Sequence, residues 1–360
     1  MVNPNDNHLH QLLTSVTCKQ LLNRETQLVP YPTTFVPPSA PICLDAELTV
    51  QEACAALAKH RISSAPVYSS EDGGFLGMLD YQDLISYVLA VLHKTPREDR
   101  TFDAEMEVKD VVKRAIMSGH GNVPVKLLSN ISLKNPLVTV DADAPILDAV
   151  NEFVRAKVHR VVVLQKATDE QKPLFVGILS QSTVAAYMAL KLGKLSVERS
   201  PELTWPNGDK SIQELGLVQG SSEIISVTPD DAVIEALYKM HEHHISSVAI
   251  LSRTDNEFWG SISMTDIKEI LGKKEGWSQL LQPAKKFFIN LRDIQSMENF
   301  GRDAMPLYTV APTTSLISAI EKMVATHTHR VWIADPSSQA NRKIVGVLSL
   351  SNVMQRIIQN

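Results

Sequence analysis

Asp266 stands three residues after Ser263 and directly after Thr265, where an apolar strand pattern gives way to a helical one. A carboxylate at that junction can accept hydrogen bonds from paired hydroxyls, such as a ribose 2′-OH and 3′-OH. Nearby hydroxyls and helix N-terminal amides can meet a phosphate. The same residues also make a helix cap, because Asp, Ser and Thr are favoured there for structural reasons alone. Asp83 holds the equivalent place earlier in the chain, but Asp80 and Gln82 replace the hydroxyl residues, and a second carboxylate repels phosphate. Thr183 stands at a third such junction and Asn352, three residues after Ser349, at a fourth. Both can hydrogen-bond, but neither is a charged acceptor for two hydroxyls. Two dipeptides, His159–Arg160 and His329–Arg330, precede β-branched strands. Arginine offers phosphate a bidentate donor, and histidine adds a donor whose charge depends on pH. The plainer alternative is a pair that satisfies carbonyls at a helix C-terminus.

Other reactive-looking residues carry less. His241, Glu242, His243 and His244 form a dense run, but adjacent positions on a helix end point apart and lack the HExxH spacing of a chelating face. Cys54 lies among Ala53, Ala55 and Ala56 on an amphipathic stretch, as a small core residue would. There is no GxSxG, no phosphate-loop lysine motif and no kinase signature. The glycines of Glu71–Gly77 suit a hairpin turn. No catalytic residue or metal ligand is therefore expected.

The elements that would hold these side chains recur. Four helical stretches, Val50–His60, Ile146–Lys157, Val233–His243 and Leu316–His327, lie roughly 85–100 residues apart, longer than ordinary solenoid periods. Each leads into a strand: Ser63–Tyr68, His159–Leu164, Ser246–Leu251 and His329–Ala334. Closing strands are expected to open at a glycine: Gly77–Asp83, Gly177–Thr183, Gly260–Asp266 and Gly346–Asn352. Val233, Ala236, Leu237 and Met240 keep helical spacing, and Val161, Val162 and Val163 read as a strand covered on both faces. Each repeat thus reads strand–helix–strand–strand–helix, an α/β (α+β) unit. One unit of roughly 50 residues buries too little surface to be secure alone, so pairing is expected.

The 360 residues divide into a Pro-rich segment at 1–41, repeats at 42–95, 136–195, 223–273 and 305–360, and linkers at 96–135, 196–222 and 274–304. The prolines of the first segment favour an extended path over the surface, with a short helix starting at Cys18–Leu22. The linkers are expected to hold a helix at Val108–Met117, a turn at Trp205–Gly208, and an amphipathic helix at Trp277–Leu291 broken by Pro283. A composition of 44% hydrophobic and 21% charged residues is globular. A net charge of -5 shows no basic excess for nucleic acid. Three cysteines without CxxC spacing argue for a reducing compartment. No membrane-length apolar run or signal pattern occurs, so a soluble intracellular chain is expected.

The strand–helix–HRVxV–strand–GVLSLS pattern resembles the CBS domain, a small α/β module usually found in side-by-side pairs. Its carriers include Val150–Leu164 and Gly346–Ile358. Four such modules are similar to the gamma subunits of AMP-activated protein kinase. Ala236–Leu251, Gly260–Lys268 and Met323–Pro336 bring the chain nearer to the fungal sister group of SDS/Moc regulators. The resemblance implies two CBS pairs (Bateman modules) in a disk-like, pseudo-symmetric assembly. It implies a non-enzymatic regulator that senses AMP, ADP or ATP in clefts and controls a protein kinase or phosphatase in nutrient-stress and cell-cycle signalling. The implied nucleotide-binding residues are Ser263, Thr265, Asp266, His159, Arg160, His329, Arg330, Asp83, Ser349 and Asn352, with the His-Arg dipeptides on phosphate. Cytoplasm and nucleus are the implied compartments, and a homodimer is compatible. In the first repeat Ser63 takes the place of the basic residue, so four equivalent sites are not expected. The alternatives are a ligand-independent scaffold that inhibits a phosphatase, and a kinase gamma subunit proper.

Overall fold

The computed structural model describes residues 8–28, 41–60, 62–94, 123–132, 136–166, 173–193, 196, 203–218, 224–264, 266–267, 276–298, 308–338 and 343–359. Four three-stranded sheets share one topology. In the first repeat β1 (Leu44–Asp45) runs parallel to β2 (Ser64–Ser69) across the helix Val50–Lys59, and β2 pairs antiparallel with β3 (Gly74–Asp80). The second repeat places β4 (Thr139–Asp141), β5 (Arg160–Gln165) and β6 (Leu174–Ser180) in the same order around the helix Ile146–Arg155. The third uses β7 (Ser226–Val227), β8 (Ser247–Leu251) and β9 (Phe258–Ser263) around Val233–Glu242. The fourth uses β10 (Thr309–Val310), β11 (Arg330–Ala334) and β12 (Ile344–Ser349) around Leu316–Ala325. A helix leaves each last strand at once, as at Tyr81–Lys94, Gln181–Leu192 and Leu350–Ile358.

The closing strands differ from expectation in one respect. They begin before the glycine and end earlier, so Gly77, Gly177, Gly260 and Gly346 sit inside the strand. In all four repeats the register shifts at that glycine. The shift leaves one extra residue on the closing strand, which bends it as a β-bulge does. Close approach accounts for three of these glycines. A Cβ on Gly177 would lie 3.0 Å from Leu22, one on Gly77 3.0 Å from Ser129, and one on Gly260 2.5 Å from the Phe288 ring. Side chains from the linkers cross the sheet where it carries none of its own.

The chain folds as two compact lobes. An even lobe joins the second and fourth repeats (Met1–Pro41, Leu137–Glu223, Tyr308–Asn360), and an odd lobe joins the first and third (Ile42–Pro136, Ile224–Leu307). Each has its own hydrophobic core. The helix Gln181–Leu192 lies deep in the even lobe, with Val184, Ala185, Ala186, Tyr187, Met188 and Ala189 all buried. It is therefore apolar around most of its circumference, as a helix covered on several sides must be.

Linkers complete the repeats out of chain order. Isolated bridges tie Thr17 to Pro145, Thr49 to Pro124, Ser211 to Ser315 and Ala232 to Pro283. The N-terminal segment thus closes the second repeat, and the stretch before the third repeat closes the fourth. The expected extended path gives way, in residues 8–28, to the helices His8–Thr14 and Cys18–Leu28, which bury Leu9, Leu13, Cys18 and Leu21. Prolines at 30, 32, 37 and 38 and the expected helix at Val108–Met117 lie outside the described residues. Trp205–Gly208 enters a one-turn helix at Pro206–Asp209, with proline in the first turn where its missing N–H costs nothing. Pro283 separates the 3-10 turn Gly276–Leu281 from the helix Ala284–Glu298, as the sequence implies.

Candidate functional site: two unlike sets of helix caps

In the even lobe two helix N-termini meet. Ser180 caps the helix Gln181–Leu192, accepting from the Thr183 N–H. Ser349 caps Leu350–Ile358 in a full capping box: Asn352 Oδ1 accepts from the Ser349 N–H at 2.9 Å and its hydroxyl at 2.7 Å. The Ser351 hydroxyl donates to Gln181 Oε1 at 3.1 Å, which joins the first turns of the two helices. Gln181 Nε2 in turn donates to the Val158 carbonyl at 3.0 Å.

The His-Arg dipeptides are stitched to this junction by their backbones. The Gln181 N–H donates to the His159 carbonyl, and the Leu350 N–H to the His329 carbonyl, each at 3.0 Å. His329 keeps exposed surface, yet its imidazole is held well below the usual range. Burial is the largest cause, followed by the positive charge of Arg330, Arg160 and His159. His329 is neutral at pH 7. Two helix N-termini and two guanidinium groups in one neighbourhood make a positive field suited to an anion.

The odd lobe is built differently at the same positions. Ser63–Ser64 and Ser246–Ser247 stand where the even lobe has His-Arg, and Ser64 and Ser247 are buried. Its carboxylates are Asp83 and Asp266. Asp266 is half-buried, and its Oδ2 accepts from the Ser263 N–H at 2.8 Å and hydroxyl at 2.6 Å. This is the capping arrangement that Asn352 makes, with a charge added. Thr265 lies outside the described residues.

Asp83 is only 1% exposed. Its Oδ2 accepts from the Asp80 N–H at 3.0 Å and its Oδ1 from the Ser132 N–H at 2.9 Å. Asp80 replaces the capping serine, its Oδ1 accepting from the N–H groups of Gln82 (2.8 Å) and Asp83 (3.0 Å). Burial first, and the neighbouring Asp80 second, push the Asp83 carboxyl up to about 7 against the bonds from Ser132 and Asp80. The carboxylate expected to face a ligand here is already engaged by the linker.

The lobes therefore separate the expected residues. His159, Arg160, His329, Arg330, Ser349 and Asn352 fall in the even lobe, and Asp83, Ser263 and Asp266 in the odd lobe. Sequence reasoning missed Gln181 and Ser351, whose signal was only their place just after a capping serine. It also missed Ser132, which had none. Elsewhere, His243 pairs with Glu242 at 3.7 Å, and His241 Nδ1 lies 3.3 Å from the Ser86 hydroxyl. Burial pushes the Cys54 thiol up to about 12, far from a thiolate at pH 7. No described helix is long and apolar enough to cross a membrane.

The family model for the CBS domain matches residues 36–90, 128–190, 218–273 and 301–359. The chain belongs to the CBS-domain family. Among curated proteins it is similar to Protein SDS23 of Kluyveromyces lactis, 30% identical over 342 residues, which cover 87% of this chain and 59% of that one. Protein SDS23 of Candida albicans is 31% identical over 313 residues (83% and 47%), and Protein SDS24 of Saccharomyces cerevisiae 28% over 305 (82% and 53%). The chain thus spans about half to six-tenths of the length of these relatives. Among solved structures, MJ1225 of Methanocaldococcus jannaschii, an archaeal homologue of g-AMPK, matches with a TM-score of 0.57 at 15% identity, over 88% of this chain and 96% of that one. At that identity the likeness speaks for the fold.

Proposed function

We propose that this CBS-domain protein is a non-enzymatic regulator that binds an adenine nucleotide, AMP, ADP or ATP, and passes its occupancy to a protein kinase or phosphatase. The observation that carries the reading is the even-lobe junction, where two capped helix N-termini meet beside four cationic or cationisable side chains. Helix N-terminal amides and guanidinium groups gathered in one place suit a phosphate. On the odd lobe, Asp266 presents a capped carboxylate of the kind that accepts ribose hydroxyls, supported by Ser263. A ligand regulates by preferring one conformation over another, so its effect is bounded by that difference in affinity. Compartments of cytoplasm and nucleus, a role in nutrient stress and the cell cycle, and a homodimer belong to the same proposal.

Calorimetric titration with AMP, ADP and ATP tests it. Binding that weakens at least tenfold in Arg330→Ala supports the even-lobe reading, and Asp266→Ala tests the odd lobe separately. Absence of heat and of thermal stabilisation at millimolar nucleotide refutes it. A second reading, a ligand-independent scaffold acting on a phosphatase, is favoured by one observation: Thr183, Asn352 and Asp83 all spend hydrogen bonds on the protein itself. Pull-down of phosphatase subunits unaffected by nucleotide, with no titration heat, is the outcome it requires.

A further inference from the structure

The linker segment Asn130–Ser132 lies against the first repeat at the place where Asp83 would meet a ligand. Its Ser132 N–H donates to Asp83 Oδ1 at 2.9 Å, and the Ser132 hydroxyl donates to the same carboxylate. Two donors on neighbouring atoms of one residue reproduce what a vicinal diol offers a carboxylate. Ser132 itself is buried. Ahead of it, Ser129 packs over Gly77, and the Asn130 N–H donates to the Met78 carbonyl at 2.8 Å, which lays the segment along β3.

We propose that Ser132 is an internal pseudo-ligand: it occupies the diol-binding carboxylate of the first repeat, and a ribose-bearing ligand enters that cleft only by displacing it. The inference rests on the reading of Asp266 as a ribose acceptor, since Asp83 holds the matching position. Two features of Asn130 mark the segment. Asn130 adopts φ 61, in the left-handed region that asparagine tolerates better than most residues with a Cβ. Its side-chain Oδ1 is buried without a hydrogen-bond partner. The titratable group that faces Asp83 is Asp80, whose like charge also opposes closure. The latch is thus hydrogen-bonded at Ser132, while Asn130 ahead of it leaves a buried oxygen unsatisfied.

The test compares AMP binding by wild type, Ser132→Ala and Ser132→Pro, using calorimetry and amide exchange on the full chain. Ser132→Pro removes both donors and is expected to tighten the first-repeat site at least tenfold, a gain absent with 2′-deoxy-AMP and absent when Asp83→Ala is introduced with it. Ser132→Ala keeps a folded control by removing only the hydroxyl, and is expected to tighten the first-repeat site about fivefold. In wild type, the Ser132 amide is expected to be protected from exchange and to lose protection at saturating AMP. Unchanged stoichiometry and affinity in Ser132→Ala, or a Ser132 amide that exchanges freely without ligand, overturns the latch. Loss of AMP binding in Asp266→Ala is read separately on the wild-type background. Failure of that result with a gain in the Ser132 variants would reject the third-repeat site and keep the latch.

Discussion

Three repeats place serine just before the last helix, Ser180, Ser263 and Ser349, and each hydroxyl accepts from the N–H three residues on. The first repeat has Asp80 there instead, beside the buried Asp83. Asp80→Ser should keep the cap, since Ser and Asp cap about equally well, and remove the like charge. The Asp83 carboxyl is raised from 3.8 to about 7, roughly three units, which at about 1.4 kcal/mol per unit totals ~4 kcal/mol. Burial is the larger cause and Asp80 the second, so ~1–2 kcal/mol is assigned to Asp80. The sign follows from linkage. A carboxyl whose folded pKa lies above its unfolded value releases its proton more readily when unfolded, so the fold is least stable above about pH 7 and gains stability as pH falls toward 4. Asp80→Ser is therefore expected to raise the melting temperature at pH 8 by roughly 2–8 °C and to change it little at pH 5, where Asp83 is already protonated. Thermal denaturation at both pH values, with a carboxyl-carbon NMR titration of Asp83, measures this. A shift of equal size at pH 5 and pH 8, or a loss of stability at pH 8, would refute the argument.

Other outcomes follow from the same geometry. Gly260→Ala drives a Cβ to 2.5 Å from the Phe288 ring and is expected to cost about 1–3 kcal/mol in a thermal melt. Gly74→Ala meets nothing within 4 Å and should stay within about 0.5 kcal/mol of wild type. Asp266→Asn copies the cap that Asn352 makes and should hold stability within about 0.5 kcal/mol, whereas Asp266→Ala loses about 1 kcal/mol. If both weaken nucleotide binding alike, the charge and not the cap serves the ligand. Arg160→Ala or Arg330→Ala removes a cation from beside His329, so its imidazole is expected to titrate at higher pH by nitrogen NMR.

The repeat unit was legible because every cue to it is local. Helical spacing in Val233, Ala236, Leu237 and Met240, and β-branched runs such as Val161–Val163, depend only on near neighbours in the chain. The caps were equally readable, and Ser349 with Asn352 forms one as its residue types imply. The glycines were half-read: their recurrence was plain, but only the crossing of Leu22, Ser129 and Phe288 explains why they lie inside the closing strands.

Residue types and short-range periodicity alone thus determined four α/β units and the positions of their charged caps. Tertiary structure decided which units share a lobe, because the apolar faces of four similar helices carry no label for their partner, and packing across long sequence separations makes the choice. It also decided which linker closes which repeat. For the same reason it decided the fate of Asp83: a carboxylate's chemistry depends on which donor reaches it first, and that donor, Ser132, lies 49 residues away along the chain.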